Sequence, residues 1–369
     1  MTVNAAVVAP GEALDTLEAG WAAQARGALT ASWMLHGRPG VGKTEIVQAL
    51  ADRKGARLHD LRLSTIEPQD LRGLPYYDHA TRRTVWFPPD DLPKADDPEP
   101  AVLFLDELTA AAPTLQPTVY GLLQERRIGA WRLPDTTFVV AAGNTVDDGA
   151  IAYEMGTALS DRLVHMVVRA DPRDWVERYA VGADIHPTVV AFLRTRPDLL
   201  ETMEAAIRRG ETVAATPRAW TRVSRIMTAV PDRRQRAVMI AGTVGSATAA
   251  EFALIADEIE AALQLDALLA APRRDRAPLY PGTLHGLTAL VYALAARATE
   301  GTLDRTIEIL ADIRDLPAAS HRGLPLSELA GFGFEVLIRK AFENDWQAAF
   351  ARSPAYADYM AGRQDLGLP

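Results

Sequence analysis

Two short segments of the sequence combine glycines, a lysine, a hydroxyl and carboxylates at spacings that suit phosphate chemistry. The first segment fits the Walker A pattern G-x-x-x-x-G-K-[ST] and reads Gly37-Arg38-Pro39-Gly40-Val41-Gly42-Lys43-Thr44. Its glycines would let the backbone wrap around phosphate groups, and amides at a helix start attract anions. The pattern predicts that Lys43 contacts the β and γ phosphates and that the Thr44 hydroxyl ligates Mg²⁺.

The second segment is an apolar run that ends in two acids, Val102–Leu105 followed by Asp106 and Glu107. In the Walker B pattern, a carboxylate at the end of a buried strand holds magnesium and its water shell, the role expected for Asp106. Glu107 would polarise the water that attacks the γ-phosphate. A strand that ends in two acids also occurs as the start of a polar loop. The preceding phosphate-binding pattern, 63 residues before Asp106 when counted from Lys43, favours the Walker B interpretation.

Alternating strands and helices must position these segments. Five apolar runs predict strands, and Thr44–Asp52 has the apolar spacing of a helix. The strands are expected at Trp33–His36, Arg57–Leu63, Val102–Leu105, Thr137–Ala142 and Val164–Val168. Strands separated by helical segments predict an α/β fold with a parallel five-stranded sheet covered on both faces. After about residue 186 the strands vanish and helical patterns dominate.

Composition excludes several function classes. The chain has 369 residues, a formal net charge of -9 and no cysteine. Disulfides, thiol catalysis and zinc–thiolate sites are therefore excluded, and the acidic balance argues against broad nucleic-acid binding. Neither a targeting segment nor a membrane span of about 20 apolar residues is visible. The histidines show no metal-binding spacing, so no metal beyond Mg²⁺ is expected, and the expected location is cytoplasmic.

Together with these motifs, four further segments resemble the AAA+ ATPases, and within them the MoxR type with its CbbQ-like relatives in the dynein-related subfamily. The resemblance is specific from about residue 30 to 225. The segments that carry it are Leu63–Pro75, Ala141–Asn144, Leu159–Leu163 and Thr216–Trp220. It implies an αβα nucleotide-binding core, a helical lid and a bound ATP or ADP with Mg²⁺. No N-K-x-D segment follows the Walker B strand, which disfavours a GTPase.

The resemblance implies a catalytic role for three further side chains. Asn144 would be sensor 1 and orient the attacking water, Arg162 would be the arginine finger, and Arg218 would be sensor 2. Each has a simpler interpretation, as a turn residue, a surface ion-pair arginine and a helix-start residue. An arginine at a helix start opposes the helix dipole, however, so a bound anion explains Arg218 better.

The resemblance also implies a domain organisation. Residues 1–185 would form the core, 186–262 the lid that carries sensor 2, and 263–369 a helical C-terminal extension. Within the core, a helix-2 insert is expected at about 64–87 and a pre-sensor-1 hairpin at about 126–136. The aromatic residues of the insert favour packing within a hairpin over base stacking. For the arginines of the second hairpin, a solvated surface is favoured over a contact with nucleic acid or a partner.

The function that the resemblance implies is work on a partner. An arginine finger acts on the nucleotide of a neighbour, so the chain is expected to form a homo-oligomer, a six-membered ring. The ring would remodel, activate or metal-load a protein partner with a von Willebrand factor A domain. Two alternatives stay open: a DNA-directed AAA+ motor or loader, against which the net charge of -9 counts, and a nucleotide-gated scaffold with little turnover. The Asp106–Glu107 pair favours turnover.

Overall fold

The chain divides into two compact units, Met1–Asp171 and Pro172–Pro369, each described by itself below. The computed structural model describes residues 3–87, 89–94, 97, 99–129, 131–144 and 160–365. Leu159 of the expected finger segment and residue 130 of the expected second hairpin lie outside these ranges. The division into core, lid and extension stays a prediction.

A parallel sheet of six strands forms the centre of the first unit, in the order β1-β10-β2-β9-β6-β3. Its strands are β1 (Ala6–Val8), β2 (Ser32–His36), β3 (Arg57–Arg62), β6 (Ala101–Asp106), β9 (Thr137–Gly143) and β10 (Leu163–Val168). The expected count of five is therefore one too low. The additional strand β1 pairs with β10 at the sheet edge. It escapes the sequence pattern because it has three residues, of which only Val8 is buried.

Residues of opposite parity along the central strands face two separate hydrophobic clusters. Trp33 and Leu35 pack on one face of the sheet with Phe138, whereas Met34 packs on the other. Successive side chains of a strand point to opposite faces, so a sheet covered on both sides needs uninterrupted apolar strands. This requirement explains the apolar runs that predict the sheet.

Four helices and two hairpins complete the described part of the first unit. The helices are α1 (Pro10–Ala25), α2 (Lys43–Lys54), α3 (Pro68–Arg72) and α4 (Gln116–Glu125). The hairpins are β4 (Leu74–Asp78) with β5 (Arg83–Phe87), and β7 (Arg127–Ile128) with β8 (Trp131–Arg132). Asp78 closes the first turn by accepting hydrogen bonds from Ala80 and Thr81. A short helix and a hairpin thus lie in the expected insert, and a second hairpin lies within 126–136.

The second unit is helical throughout its described residues, as the loss of strand patterns predicts. After a helical turn α5 (Pro172–Asp174), and besides one π-helical and four 3₁₀ segments, its described residues form eleven α-helices. They are α6 (Pro187–Thr195), α7 (Met203–Arg209), α8 (Pro217–Ala229), α9 (Arg233–Val244), α10 (Ser246–Ala262), α11 (Leu265–Ala270), α12 (Leu284–Arg297), α13 (Leu303–Arg314), α14 (Leu326–Glu343), α15 (Gln347–Ala351) and α16 (Pro354–Asp365). Helices α12, α13 and α14 enclose a core that includes Leu290, Leu310 and Leu337.

Candidate nucleotide-binding site

The loop between β2 and α2 has the backbone conformation that a phosphate-binding loop needs. Gly40 and Gly42 have φ angles of 82° and 107°, in the region that favours glycine. Gly42 is the N-cap of α2, and no side chain caps this helix end. The first-turn amides therefore point their partial positive charge at the space in front of the helix. A twelve-residue helix that begins this way fits an anion.

Lys43 folds back into this loop. Its side chain is buried, and Nζ donates hydrogen bonds to the carbonyl oxygens of Gly37 at 2.5 Å and Arg38 at 3.2 Å. Nζ also donates to Oδ1 of Asn144 at 3.0 Å. Two predicted site residues that are distant in the sequence are therefore in contact. A phosphate at the helix start would meet an ammonium group already fixed in place.

Backbone contacts hold the end of β9 against the loop. The N–H of Gly37 donates to the carbonyl of Gly143 at 3.2 Å, and the N–H of Asn144 donates to Oγ1 of Thr109 at 3.0 Å. A side chain at position 143 would lie 2.7 Å from Thr109, so only glycine fits there. Thr109, which sequence reasoning missed, therefore helps to position Asn144.

Asp106 and Glu107 lie at the carboxyl ends of the strands, as Asn144 does, because β6 is parallel to β9 and directly beside it. Oδ1 of Asp106 accepts a hydrogen bond from the backbone N–H of Glu107 at 2.8 Å. Glu107 itself has a φ of 58°, in the left-handed region that non-glycine residues rarely adopt. Such conformations cluster at functional sites, and this one sets the direction of the Glu107 side chain.

Two residues engage the Glu107 carboxylate: Arg62, the last residue of β3, and Ser64, in the 3₁₀ turn that follows the strand. Ser64 Oγ donates a hydrogen bond to Oε2, and Arg62 Nε lies 3.6 Å from Oε1. Strand register explains the contact, since Arg62 pairs with Asp106 across β3 and β6. No sequence motif marks Ser64 or Arg62, and only the pairing of the strands reveals their role.

Asp60 on β3 brings a further carboxyl group close to Asp106. Burial, and then the nearby charge of Asp106, raise the pKa of Asp60 on β3. A bound cation would relieve that repulsion. Magnesium prefers oxygen ligands and usually combines one or two protein oxygens with phosphate oxygens and water. Thr44 at the start of α2 and Asp106 at the end of β6 offer such a donor set. Among the described residues, no group of three or more histidine and acidic side chains could hold a metal ion.

Arg162 lies at the amino ends of the strands, opposite to the phosphate loop. It directly precedes β10, whose first residue, Leu163, pairs in parallel with Ser32 at the start of β2. The phosphate loop follows the other end of β2, five residues away, or about 16 Å along the strand. Arg162 is exposed there and lines a pocket of about 310 Å³ with Arg126. The phosphate loop of the same chain thus lies at the opposite ends of the strands from Arg162.

Arg218 belongs to the second unit, at the second position of α8 (Pro217–Ala229). Thr216 caps this helix by accepting a hydrogen bond from the N–H of Ala219 at 3.1 Å. The Arg218 side chain is exposed, whereas Trp220 is fully buried and anchors the helix. That the Arg218 side chain contacts a nucleotide stays a prediction.

A comparison with known protein families matches a segment of the first unit. Residues 32–163 match the family described as AAA domain (dynein-related subfamily). No curated protein matches the chain. No helix among the described residues is long and apolar enough to cross a membrane.

Solved structures with similarity to the chain share little sequence with it. A protein from Cytophaga hutchinsonii, provisionally named an ATPase, has 14% identity and a TM-score of 0.35, covering 79% of this chain and 76% of its own. A RuvB variant from Thermotoga maritima has 16% identity and a TM-score of 0.38, covering 79% and 83%. The RuvB Holliday junction branch migration motor of the same organism has 15% identity and a TM-score of 0.35, covering 76% and 81%.

The matched segment runs from the start of β2 to the start of β10, so it contains the phosphate loop, both acids, Asn144 and Arg162. The chain has the AAA+ P-loop fold, with a six-stranded parallel sheet and a helical C-terminal region.

Proposed function

We propose that this AAA-domain chain is a ring-forming, Mg²⁺-dependent ATPase of the MoxR type, with active sites shared between neighbouring subunits. The observation that carries the proposal is the placement of functional groups at two opposite edges of one sheet. Lys43, Asn144 and Glu107 lie at the carboxyl edge, whereas Arg162 lies at the amino edge. An arginine in that position serves a nucleotide only if the nucleotide belongs to another subunit.

Within one subunit, each group has a distinct task. The amides at the start of α2 and the Lys43 ammonium bind the β and γ phosphates. Thr44 and Asp106 would hold Mg²⁺, which when bound would neutralise charge on the phosphates. Glu107 accepts a proton from the attacking water, and Asn144 orients that water. The contact between Asn144 Oδ1 and Lys43 Nζ supports a common site for these roles.

The neighbouring subunit would complete the site. Arg162 reaches the γ-phosphate across the interface and stabilises the charge that develops there, an effect worth about 10³ to 10⁵ in rate. A closed ring lets every subunit donate and receive one arginine, and we propose six subunits. Arg218 of the helical lid would contact the same nucleotide and report its state. Because the chain lacks cysteine, the reducing cytoplasm suits it.

An exposed apolar hairpin supports a protein as the partner. The β4–β5 hairpin keeps six large side chains at least 36% exposed, namely Leu74, Tyr76, Tyr77, Val85, Trp86 and Phe87. Arg72 covers Trp86 at 4.2 Å from the ring centre, and Tyr76 touches Phe87. Exposed apolar surface of this kind marks interaction sites. We propose that the hairpin engages a protein with a von Willebrand factor A domain, which the ring remodels, activates or loads with metal.

Complementation between two inactive variants tests the shared site. Glu107→Gln removes the general base but keeps Arg162, and Arg162→Ala removes the finger but keeps the base. Each variant alone should hydrolyse ATP at least about 10³-fold more slowly than the wild type. An equal mixture should recover activity, because some Arg162→Ala subunits then receive an arginine from a Glu107→Gln neighbour.

The control for the mixture is Lys43→Ala in place of Arg162→Ala, since a subunit that cannot bind nucleotide gains nothing from an arginine. Failure of the first mixture to recover activity, although both variants assemble, would refute the shared site. Full activity of Arg162→Ala alone would do the same.

A further inference from the structure

Two histidines meet inside the sheet of the first unit. His36 is the last residue of β2 and is buried, and His165 lies on the adjacent strand β10. Their rings stack with centroids 5.1 Å apart, and His36 Nε2 lies 2.8 Å from His165 Nδ1. The other ring nitrogen of His165, Nε2, lies 2.8 Å from the carbonyl oxygen of Ser160.

The Ser160 carbonyl fixes the direction of these hydrogen bonds. A carbonyl oxygen only accepts, so His165 Nε2 must carry the hydrogen. In the neutral ring Nδ1 is then an acceptor, and His36 Nε2 donates to it. The result is a directed chain from His36 to His165 to Ser160. Ser160 Oγ adds a weaker contact at 3.2 Å.

His36 and Ser160 lie next to the two halves of the proposed catalytic machinery. His36 directly precedes Gly37, whose N–H binds Gly143 and whose carbonyl accepts from Lys43. Ser160 lies two residues before Arg162. The chain therefore spans the sheet from the phosphate loop at one edge to the arginine-bearing turn at the other.

Stability alone does not account for a polar pair at this position, in which His36 is buried and His165 is half-buried. An apolar pair of the same shape between two sheet strands would be nearly neutral or stabilising in comparison. A directed series of hydrogen bonds instead fixes distance and orientation, because each imidazole donates through Nε2 and the Ser160 carbonyl oxygen accepts the last hydrogen bond. What it fixes here is Ser160, and through Ser160 the turn that presents Arg162.

We propose that the His36–His165 pair is a positioning relay that holds the Arg162 turn in register with the phosphate loop of its own subunit. The relay rests on the proposed shared site, and it assigns the histidines to the subunit that donates the arginine. Their loss should weaken the arginine that a subunit gives to its neighbour. It should leave the subunit's own nucleotide binding and its use of a neighbour's arginine unchanged.

The two-variant mixture separates these roles when His165→Leu is placed in one partner at a time. In the arginine donor, Glu107→Gln with His165→Leu, we expect recovered ATP hydrolysis to fall about 10- to 100-fold, the cost of a small misplacement. In the acceptor, Arg162→Ala with His165→Leu, we expect recovery within twofold of the unmodified mixture. Affinity for a fluorescent ATP analogue should be unchanged in both.

Two further variants keep the test decisive. Ser160→Ala in the donor is the matched control, and recovery should persist because the main acceptor is the backbone carbonyl. If His165→Leu does not assemble, His165→Asn replaces it: its oxygen accepts from His36, but the shorter side chain does not reach Ser160, so the donor-specific loss should recur. Equal losses in donor and acceptor, or no loss in either, would overturn the relay. No recovery in the unmodified mixture would instead refute the shared site.

Discussion

The Ser64–Glu107 contact predicts that the proposed general base is restrained before a partner or nucleotide acts. Ser64 Oγ donates to one carboxylate oxygen of Glu107, and Arg62 faces the other. A carboxylate oxygen that already accepts a hydrogen bond is less available to take a proton from water. Replacing Ser64 with alanine should free Glu107 and increase the rate of ATP cleavage.

The size of the effect follows from the exposure of the contact. Hydrogen bonds to charged groups contribute about 1.5 to 3 kcal/mol. The Glu107 side chain is 37% exposed, so water competes and we take about 1 kcal/mol. That corresponds to about a fivefold faster chemical step. The Arg62 ion pair at 3.6 Å is more exposed still, so Arg62→Ala should change the rate by less than about twofold.

Single-turnover hydrolysis is the appropriate assay, because product release does not limit it. Ser64→Ala should raise the cleavage rate about fivefold with unchanged nucleotide affinity, whereas Ser64→Thr keeps the hydroxyl and should behave as the wild type. A cleavage rate in Ser64→Ala that is equal to or lower than that of the wild type would refute the restraint.

Three further changes have defined outcomes. Tyr76→Ser with Phe87→Ser should keep ATP hydrolysis within about twofold but abolish binding to the proposed partner with a von Willebrand factor A domain, measured by calorimetry, because both side chains are over half exposed. Asp60→Asn should stabilise the protein near pH 7.5, and chemical denaturation should show that gain shrinking as pH falls through the raised pKa of Asp60. Arg276→Met should lower the free energy of unfolding by about 1.5 to 3 kcal/mol in urea, since Asp312 loses its buried partner and keeps only the exposed Arg273.

The sign for Asp60 follows from its raised pKa. A carboxyl group whose pKa is higher in the folded than in the unfolded state destabilises the fold above the folded pKa, and this penalty vanishes below the unfolded one. A gain that grows on acidification would contradict the assignment. If the variant with Tyr76→Ser and Phe87→Ser still binds the partner, the hairpin is not part of the interface. An unchanged urea midpoint for Arg276→Met would show that the ion pairs of Arg276 contribute nothing to the free energy of unfolding.

Local patterns predict the centre of the fold because its strands are buried on both faces. The apolar runs around Trp33, Phe104 and Phe138 must be continuous to fill two clusters at once, and continuity is visible in a sequence. The phosphate loop is equally visible because its glycines have positive φ angles. Strand β1 has neither property and was missed.

Contacts set by strand order are not visible in the sequence. Ser64 meets Glu107 because β3 lies beside β6, and His165 meets His36 because β10 lies beside β2. The Ser64–Glu107 contact joins residues that are 43 positions apart in the sequence, and the His36–His165 contact joins residues that are 129 positions apart. The Walker B motif predicts Glu107 from its own segment, but it contains no information on the residues that the neighbouring strand brings to Glu107.

The most direct test of the shared active site is ATP hydrolysis per subunit as a function of protein concentration. The measurement is made on the wild type with Arg162→Ala and Glu107→Gln alongside. We expect specific activity that rises with concentration as subunits assemble, and that falls at least about 10³-fold in both variants. Activity independent of concentration that survives the loss of Arg162 would contradict it, and would indicate an enzyme complete within one subunit.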